Sequence, residues 1–288
     1  MDHYCALVAE VRAARSCGDR DREALQLLIA DALPYLNALF EAGIEKDVAF
    51  GRADEVQGLF RDPLTAFLYY RMLGFILGFD VLCGGLGVGA WSVRVDSGGS
   101  ASQDGPAYRN ARAALAEAGK GRRFDVAICS GNLFDDMLVT LMDHALSICR
   151  MRTAVQNETA LAVELLRPLV PSGQEDRPPA SAERLSALGL SVLSGWRDNR
   201  GLIGRALACG SAGTLFLAGK PRALGRLSGT SSEFELTGGD LVGVSYGLAE
   251  IARSARQGID RHLSQGRVAQ ERNAVALLAF SLDQLFGR

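Results

Sequence analysis

The sequence predicts an α/β (α+β) fold: strands and helices alternate in the first half, and a mainly α-helical domain follows. Three observations predict it. Short apolar runs at residues 4–9, 44–50, 55–60, 81–95 and 124–128 have the length and composition of strands. Between them lie longer stretches with apolar residues at helical spacing. Beyond residue 182 the legible segments are helical.

The first run, Tyr4-Cys5-Ala6-Leu7-Val8-Ala9, reads as a short buried strand that ends at Glu10. Residues 22–40 place Leu25, Leu28, Ile29, Ala32, Leu36, Leu39 and Phe40 on one helical face, and Pro34 predicts a kink or break near Leu33. A weak strand over 44–50 turns at Phe50-Gly51-Arg52-Ala53-Asp54 and returns over 55–60, a tight hairpin with an acidic tip. Asp62-Pro63 reads as an N-cap with proline in the first turn, opening a helix over 64–77. Residues 81–95 read as a strand whose glycines Gly85, Gly87 and Gly89 share one face, which strips that face and lets another group approach the backbone. A Gly/Ser-rich loop over 96–103 precedes Asp104-Gly105-Pro106, which opens a helix to about Ala118. A strand over 124–128 and a long helix over 132–152, continuing further, complete the first half. This order predicts a palm-type, ferredoxin-like sandwich with an antiparallel centre and helices on one face.

The predicted domains are 1–152, a helix end and linker over 153–182, and 183–288. Pro171-Ser172-Gly173-Gln174-Glu175-Asp176-Arg177-Pro178-Pro179 marks the linker. Residues 212–217 read as a strand and 228–237 as a loop or ribbon. No apolar stretch reaches the ~18 residues of a membrane span, and no basic-then-apolar leader opens the chain. Cys5, Cys17, Cys83, Cys129, Cys149 and Cys209 form no C-x-x-C pair, which suits reduced thiols in a cytoplasmic protein. With only His3, His144 and His262 available and none beside a cysteine pair, zinc is not expected, and His144 reads as structural. Residues 1–180 hold 18 basic and 24 acidic side chains, a balance of −6; residues 181–288 hold 13 and 9, a balance of +4. An acidic front and a basic back suit a metal or effector domain joined to one that meets an anion.

Two carboxylates on rigid, facing elements can hold magnesium, which takes oxygen ligands and few from protein. Glu10 at the strand end and Asp54 at the hairpin tip are the expected catalytic and metal pair, with Glu55 in reserve. Two such ions ~3.5–4 Å apart neutralise a triphosphate and activate the attacking oxygen. The glycine run is no dinucleotide fingerprint, because Trp91-Ser92-Val93-Arg94-Val95 continues as strand-like sequence instead of opening a helix. No Walker-type loop and no H-E-x-x-H occur.

The string Arg52-Ala53-Asp54-Glu55-Val56-Gln57-Gly58-Leu59-Phe60 resembles the R-G-D-E-F-Q-G-L-L motif of the SatD family. The segment 4–16, the block Gly85-Leu86-Gly87-Val88-Gly89, and Asp104-Gly105-Pro106-Ala107-Tyr108-Arg109-Asn110-Ala111-Arg112-Ala113-Ala114-Leu115 fit the same pattern in the same order, over about residues 3–150. The resemblance implies a palm like that of class III nucleotide cyclases and GGDEF-type diguanylate cyclases. It implies Mg2+ or Mn2+, with a nucleoside triphosphate or cyclic nucleotide as ligand. Arg112 would stabilise charge at the reacting phosphate, and Arg52, Glu55, Gly85, Gly87 and Asn110 would line the nucleotide. Glu10 stands where the family has aspartate, and Ala53 where it has glycine. One extra methylene displaces the ligand oxygens, and a lost glycine restricts phosphate approach. Both departures imply binding without turnover.

Residues 245–263 resemble a helix-turn-helix. Its first helix buries Leu248, Ile251 and Ala252, and Ile259 and Leu263 anchor the second. Arg256, Gln257, Asp260 and Arg261 face outward for base edges and phosphates, and Arg267 and Arg272 flank them. Arg253 takes the place where glycine usually makes the turn. Residues 275–286 present Leu278, Leu282 and Leu285 for core or homodimer packing. The sequence therefore leads to a nucleotide- and metal-binding palm that regulates binding to double-stranded DNA. The alternatives are an active nucleotidyl cyclase and a catalytically dead interaction adaptor.

Overall fold

The computed structural model describes residues 3–12, 19–52, 54–120, 125–171, 179–195, 201–217, 221–224 and 241–287. The fold is mixed α/β, with a five-stranded sheet, a small two-stranded sheet and eleven helices among these residues.

Strand β1 (Tyr4–Val11) lies at the centre, and helix α1 (Asp19–Leu39) leads to the hairpin of β2 (Ile44–Arg52) and β3 (Glu55–Phe60). Helix α2 (Pro63–Leu77) starts as expected: Asp62 accepts from the Thr65 N–H at 2.7 Å and Pro63 occupies the first turn. Burial pushes the Asp62 carboxyl up, although the Thr65 and Leu64 N–H groups oppose it. Strand β4 (Leu82–Gly89), helix α3 (Pro106–Lys120) and strand β5 (Val126–Cys129) complete the sheet, in the order β2-β3-β1-β4-β5. β1 runs antiparallel to both neighbours, and β4 pairs parallel with β5.

Alternation along β1 divides the core. Cys5, Leu7, Ala9 and Val11 pack with α1 and α2, whereas Ala6 and Val8 pack with Ala107, Tyr108 and Ala111 of α3 and with Trp91. Helices therefore cover both faces, which corrects the expectation of one covered face. The occupant of the glycine face is α3. A Cβ on Gly85 would lie 2.1 Å from the Ala111 carbonyl oxygen, and one on Gly87 would lie 2.0 Å from the Ala111 nitrogen.

Several boundaries differ from the sequence reading. α1 runs unbroken through Pro34. β4 ends at Gly89, and the following segment holds only an isolated bridge between Val93 and Asp104. Gln103 organises that loop, donating to the carbonyls of Val95 and Gly98 and accepting from the Val95 N–H. The long helix expected after β5 is two: α4 (Asp135–Arg150) stops, and Thr153 opens α5 (Ala154–Leu166) with a reciprocal capping box to Gln156. Leu169–Pro171, expected in the linker, is the buried strand β6, and residues 172–178 lie outside the described residues.

Helices α6 (Pro179–Gly195), α7 (Leu202–Ala208) and α8 (Thr214–Leu217) follow, then strand β7 (Arg222–Leu224), parallel to β6. The strand expected over 212–217 is thus the short helix α8; the ribbon expected over 228–237 lies outside the described residues. The chain ends with α9 (Val244–Ile251), α10 (Arg256–Gln265) and α11 (Val268–Phe286). One continuous apolar core joins β1 to α11, so the domain boundary placed at residue 152 leaves no gap in it. Inside the core, Arg71 of α2 donates to both oxygens of Glu164 on α5 and of Glu271 on α11. Arg272 and Arg152 join this network, so ion pairs tie the front sheet to the last helix.

Candidate functional site

At the end of β1 the register sets Glu10 opposite Glu55 on β3 and Cys83 on β4. Glu10 shares the parity of Ala6 and Val8, and so the face covered by α3. Arg112 of α3 reaches down to this end: Nη1 donates to Glu55 Oε2 at 3.1 Å, and Nη2 to Glu55 Oε1 at 3.2 Å and Gln57 Oε1 at 2.8 Å. This fork-on-fork geometry is the strongest arrangement open to the two side chains. Gly51 leaves room beside it, since a Cβ there would stand 3.1 Å from Glu55 Oε1. Gln57 is fixed in turn by donating to the Ser100 carbonyl at 2.7 Å.

Asp54 enters through its backbone. Its carbonyl accepts from the Val11 N–H at 2.9 Å, which fixes the hairpin tip beside the residue after Glu10. The direct cross-strand partner of Glu10 is nevertheless Glu55, the reserve residue of the sequence reading. Ala53 and the side chain of Arg52 lie outside the described residues. Asn110 donates to the Val88 carbonyl at 2.8 Å and so fastens α3 to β4. Gly85 and Gly87 lie beneath α3; the expectation that a nucleotide approaches them is corrected, because the backbone of α3 already fills that space.

The sequence reading missed a second polar group at the same strand end. Arg12 follows the last residue of β1. It donates to Asp125 Oδ1 at 3.3 Å, to Cys83 Sγ at 2.8 Å and to the Ala118 carbonyl at 3.2 Å. Arg150 meets Asp125 and Asp143, each at 2.6 Å. Burial pushes the Cys83 thiol up, and the Arg12 guanidinium only partly opposes this. Cys83 is therefore a packed, protonated thiol and not a nucleophile.

Among the described residues, no group of three or more His, Cys, Asp or Glu side chains converges as a metal centre. Both oxygens of Glu55 are engaged by Arg112. With Glu55 so engaged, it cannot serve as a carboxylate shared between two ions. His144 is exposed on α4. One motif passed over above is Gly243-Val244-Ser245-Tyr246-Gly247, which spells G-x-S-x-G. Ser245 is buried in the first turn of α9 and is not among the residues at positive φ, so it lacks the exposed, strained serine of a nucleophile elbow.

Helices α9 and α10 fall where the helix-turn-helix was expected. Leu248, Ile251, Ala252 and Ile259 are buried, with Leu263 packed beside them. Arg256, Gln257, Asp260 and Arg261 are exposed on α10, as is Arg267 just beyond it. Arg256 Nε pairs with Asp260 Oδ2 at 3.3 Å. Arg272, read as a flanking phosphate grip, is instead buried in the core network, which corrects that expectation. The turn after α9 closes with Ser254 N–H to Ala249 O at 2.9 Å and Arg253 N–H to Glu250 O at 3.3 Å. These are the paired bonds of a Schellman helix end. No helix among the described residues is long and apolar enough to cross a membrane. No protein-family model, curated protein or solved structure matches this chain.

Proposed function

We propose that this chain is a nucleotide-responsive DNA-binding regulator. In this reading the front sheet is a palm of ferredoxin-like type that binds a nucleoside triphosphate or cyclic nucleotide without turning it over. The exposed α10 is the recognition helix of a helix-turn-helix that meets duplex DNA. The observation that carries the reading is the charged end of β1, where Glu10 faces Glu55 and Arg112 bridges to the latter. The antiparallel order β2-β3-β1-β4 supports the palm. The exposed basic face of α10 supports the DNA partner.

Glu10 and Asp54 would hold one Mg2+ or Mn2+, and that ion would neutralise phosphate charge. Arg112 has 46% of its side chain open to solvent and so is within reach of a phosphate, whose contact must offset the cost of leaving the mostly buried Glu55 unpaired. α3 carries Arg112 and packs through backbone contacts on Gly85 and Gly87, so a shift of the arginine bears directly on β4. The core network then links α2 to α11, which begins at the end of α10.

Calorimetry of the full chain with ATP or GTP and Mn2+ tests the front half, and a mobility shift of duplex DNA with and without nucleotide tests the coupling. Binding heat that disappears in Glu10→Ala/Asp54→Ala, together with a changed shift, is the expected result. Absence of nucleotide binding by the wild type, with DNA binding indifferent to both substitutions, sinks the proposal.

A further inference from the structure

Two arginines stand where helices ordinarily end on glycine. Arg253 follows α9 with φ 45°, and Arg267 follows α10 with φ 50°. They are the only non-glycine residues at positive φ among the described residues. The left-handed conformation disfavours any residue with a Cβ, and glycine or asparagine dominates this position. The backbone bonds that close these helix ends would form equally well with glycine, so they do not account for a side chain there. Both side chains are exposed, and among the described residues no carboxylate pairs with either guanidinium. Persistent strain without a structural return points to a role for the side chain outside the fold.

The two positions bracket α10. Ten residues at the helical rise span about 15 Å, close to the ~12 Å width of the DNA major groove. With the reach of an arginine at each end, the guanidiniums can meet the phosphates of the two strands that border the groove. The exposed face between and beside them holds Arg253, Arg256, Arg261 and Arg267 against Glu250 and Asp260, four cations to two anions. Arg256 is already paired with Asp260. Beyond that pair, Arg253 and Arg267 stand at the two ends of the helix and Arg261 between them.

We propose that Arg253 and Arg267 are paired phosphate clamps that seat α10 on duplex DNA, one at each end of the helix. This rests on the DNA-binding reading above and adds Arg253 to it. The clamps supply position and salt-dependent affinity, not sequence choice.

Glycine substitution separates the clamp from a structural role, because it removes the charge while easing the backbone. Arg253→Gly, Arg267→Gly, the double variant and Arg253→Lys are titrated as full chains against a labelled mixed-sequence duplex over a salt series. Each glycine variant is expected to flatten the slope of log K against log salt by about 0.9, and the double variant by about twice that. Arg253→Lys keeps the wild-type slope. The melting midpoint of each glycine variant stays level or rises by about 2 °C. Wild-type binding with unchanged slopes in the glycine variants overturns the clamps and leaves the DNA reading standing. A fall in the melting midpoint also overturns them, since the side chains would then serve the fold. If the wild type binds no duplex at all, the DNA reading itself fails, and the clamps with it.

Discussion

Replacing Glu164 with glutamine, an isosteric change deep in the core, is expected to be among the most damaging single substitutions in this chain. Glu164 accepts from Arg71 through both oxygens at 2.8 Å and also pairs with Arg272. The network holds the guanidiniums of Arg71, Arg152 and Arg272 against the carboxylates of Glu164 and Glu271, and every side chain in it is nearly solvent-free. Burial pushes the Glu164 carboxyl up, yet Arg272 and Arg71 outweigh it and hold it down at about 2. The drop from the ordinary 4.5 to about 2 corresponds to about 3 kcal/mol. Glu164→Gln would leave three buried cations facing one anion, and breaking a buried pair in this way costs about 3–5 kcal/mol. Urea unfolding should show a lower midpoint at unchanged slope. The sign with pH is fixed: the folded value lies below the unfolded one, so the stabilisation is whole above about pH 4.5 and is lost as pH falls towards 2. The gap between wild type and variant should therefore narrow over that window. Arg71→Met/Glu164→Gln should cost less than the sum of its singles, because it restores the original excess of one cation. A loss below about 1 kcal/mol, the scale of a surface pair, would refute the reasoning.

Gly85→Ala and Gly87→Ala should each destabilise by about 1–3 kcal/mol or more in the same assay, since the new Cβ would meet α3 backbone that cannot swing aside. Wild-type stability in both would mean that α3 does not lie on the glycine stripe. Mass spectrometry after brief alkylation at neutral pH should find Cys209 labelled ahead of Cys5, Cys83 and Cys149. Cys209 is exposed, whereas burial pushes the other three thiols up. Equal labelling of Cys149 in the native state would show the core opening.

What was legible in the sequence depended on whether the signal was local. Asp62-Pro63 fixed the start of α2 because a cap and a first-turn proline act within one helical turn. The hairpin, β1 and the start of α3 were legible for the same reason. The stripe Gly85-x-Gly87-x-Gly89 announced a close approach but not its occupant. The matching signal, small Ala107 and Ala111 on α3, lies over twenty residues away and means little until the helix is docked. Residues 212–217 look β-prone, yet their packing against α6 and α5 fixes a short helix, an instance of tertiary context overriding propensity. Thr153-x-x-Gln156 is a readable capping box that the apolar periodicity around it obscured. At the site, Glu10 was placed correctly at a strand end. That Glu55 is its direct cross-strand neighbour was not legible, because pairing register is set by the hairpin turn and a one-residue difference exchanges Asp54 for Glu55. The core network was invisible: Arg71, Glu164 and Glu271 are separated by up to 200 positions, and nothing local links them.

Under the proposed function, Arg112 decides between sensing and catalysis. Two-ion phosphoryl chemistry needs carboxylates shared between cations ~3.5–4 Å apart. Glu55 has the right place in the register to share with Glu10, but both its oxygens are spent on Arg112. A guanidinium there supplies a single positive charge over a planar fork. It can attract and orient a phosphate, but it has no open coordination position in which to ionise an attacking hydroxyl. The same contact gives a ligand something to do. A phosphate that recruits Arg112 leaves Glu55 with its Gln57 neighbour and a new charge imbalance at the end of the central strands. Arg112 is half-open but Glu55 is mostly buried, so the exchange goes only as far as the phosphate contact offsets the unpaired carboxylate. Arg112→Lys should separate these roles. Lysine keeps the charge but cannot fork across both Glu55 oxygens, so nucleotide affinity should persist while its effect on DNA binding weakens. Full coupling in that variant would place the switch elsewhere than the Arg112–Glu55 contact.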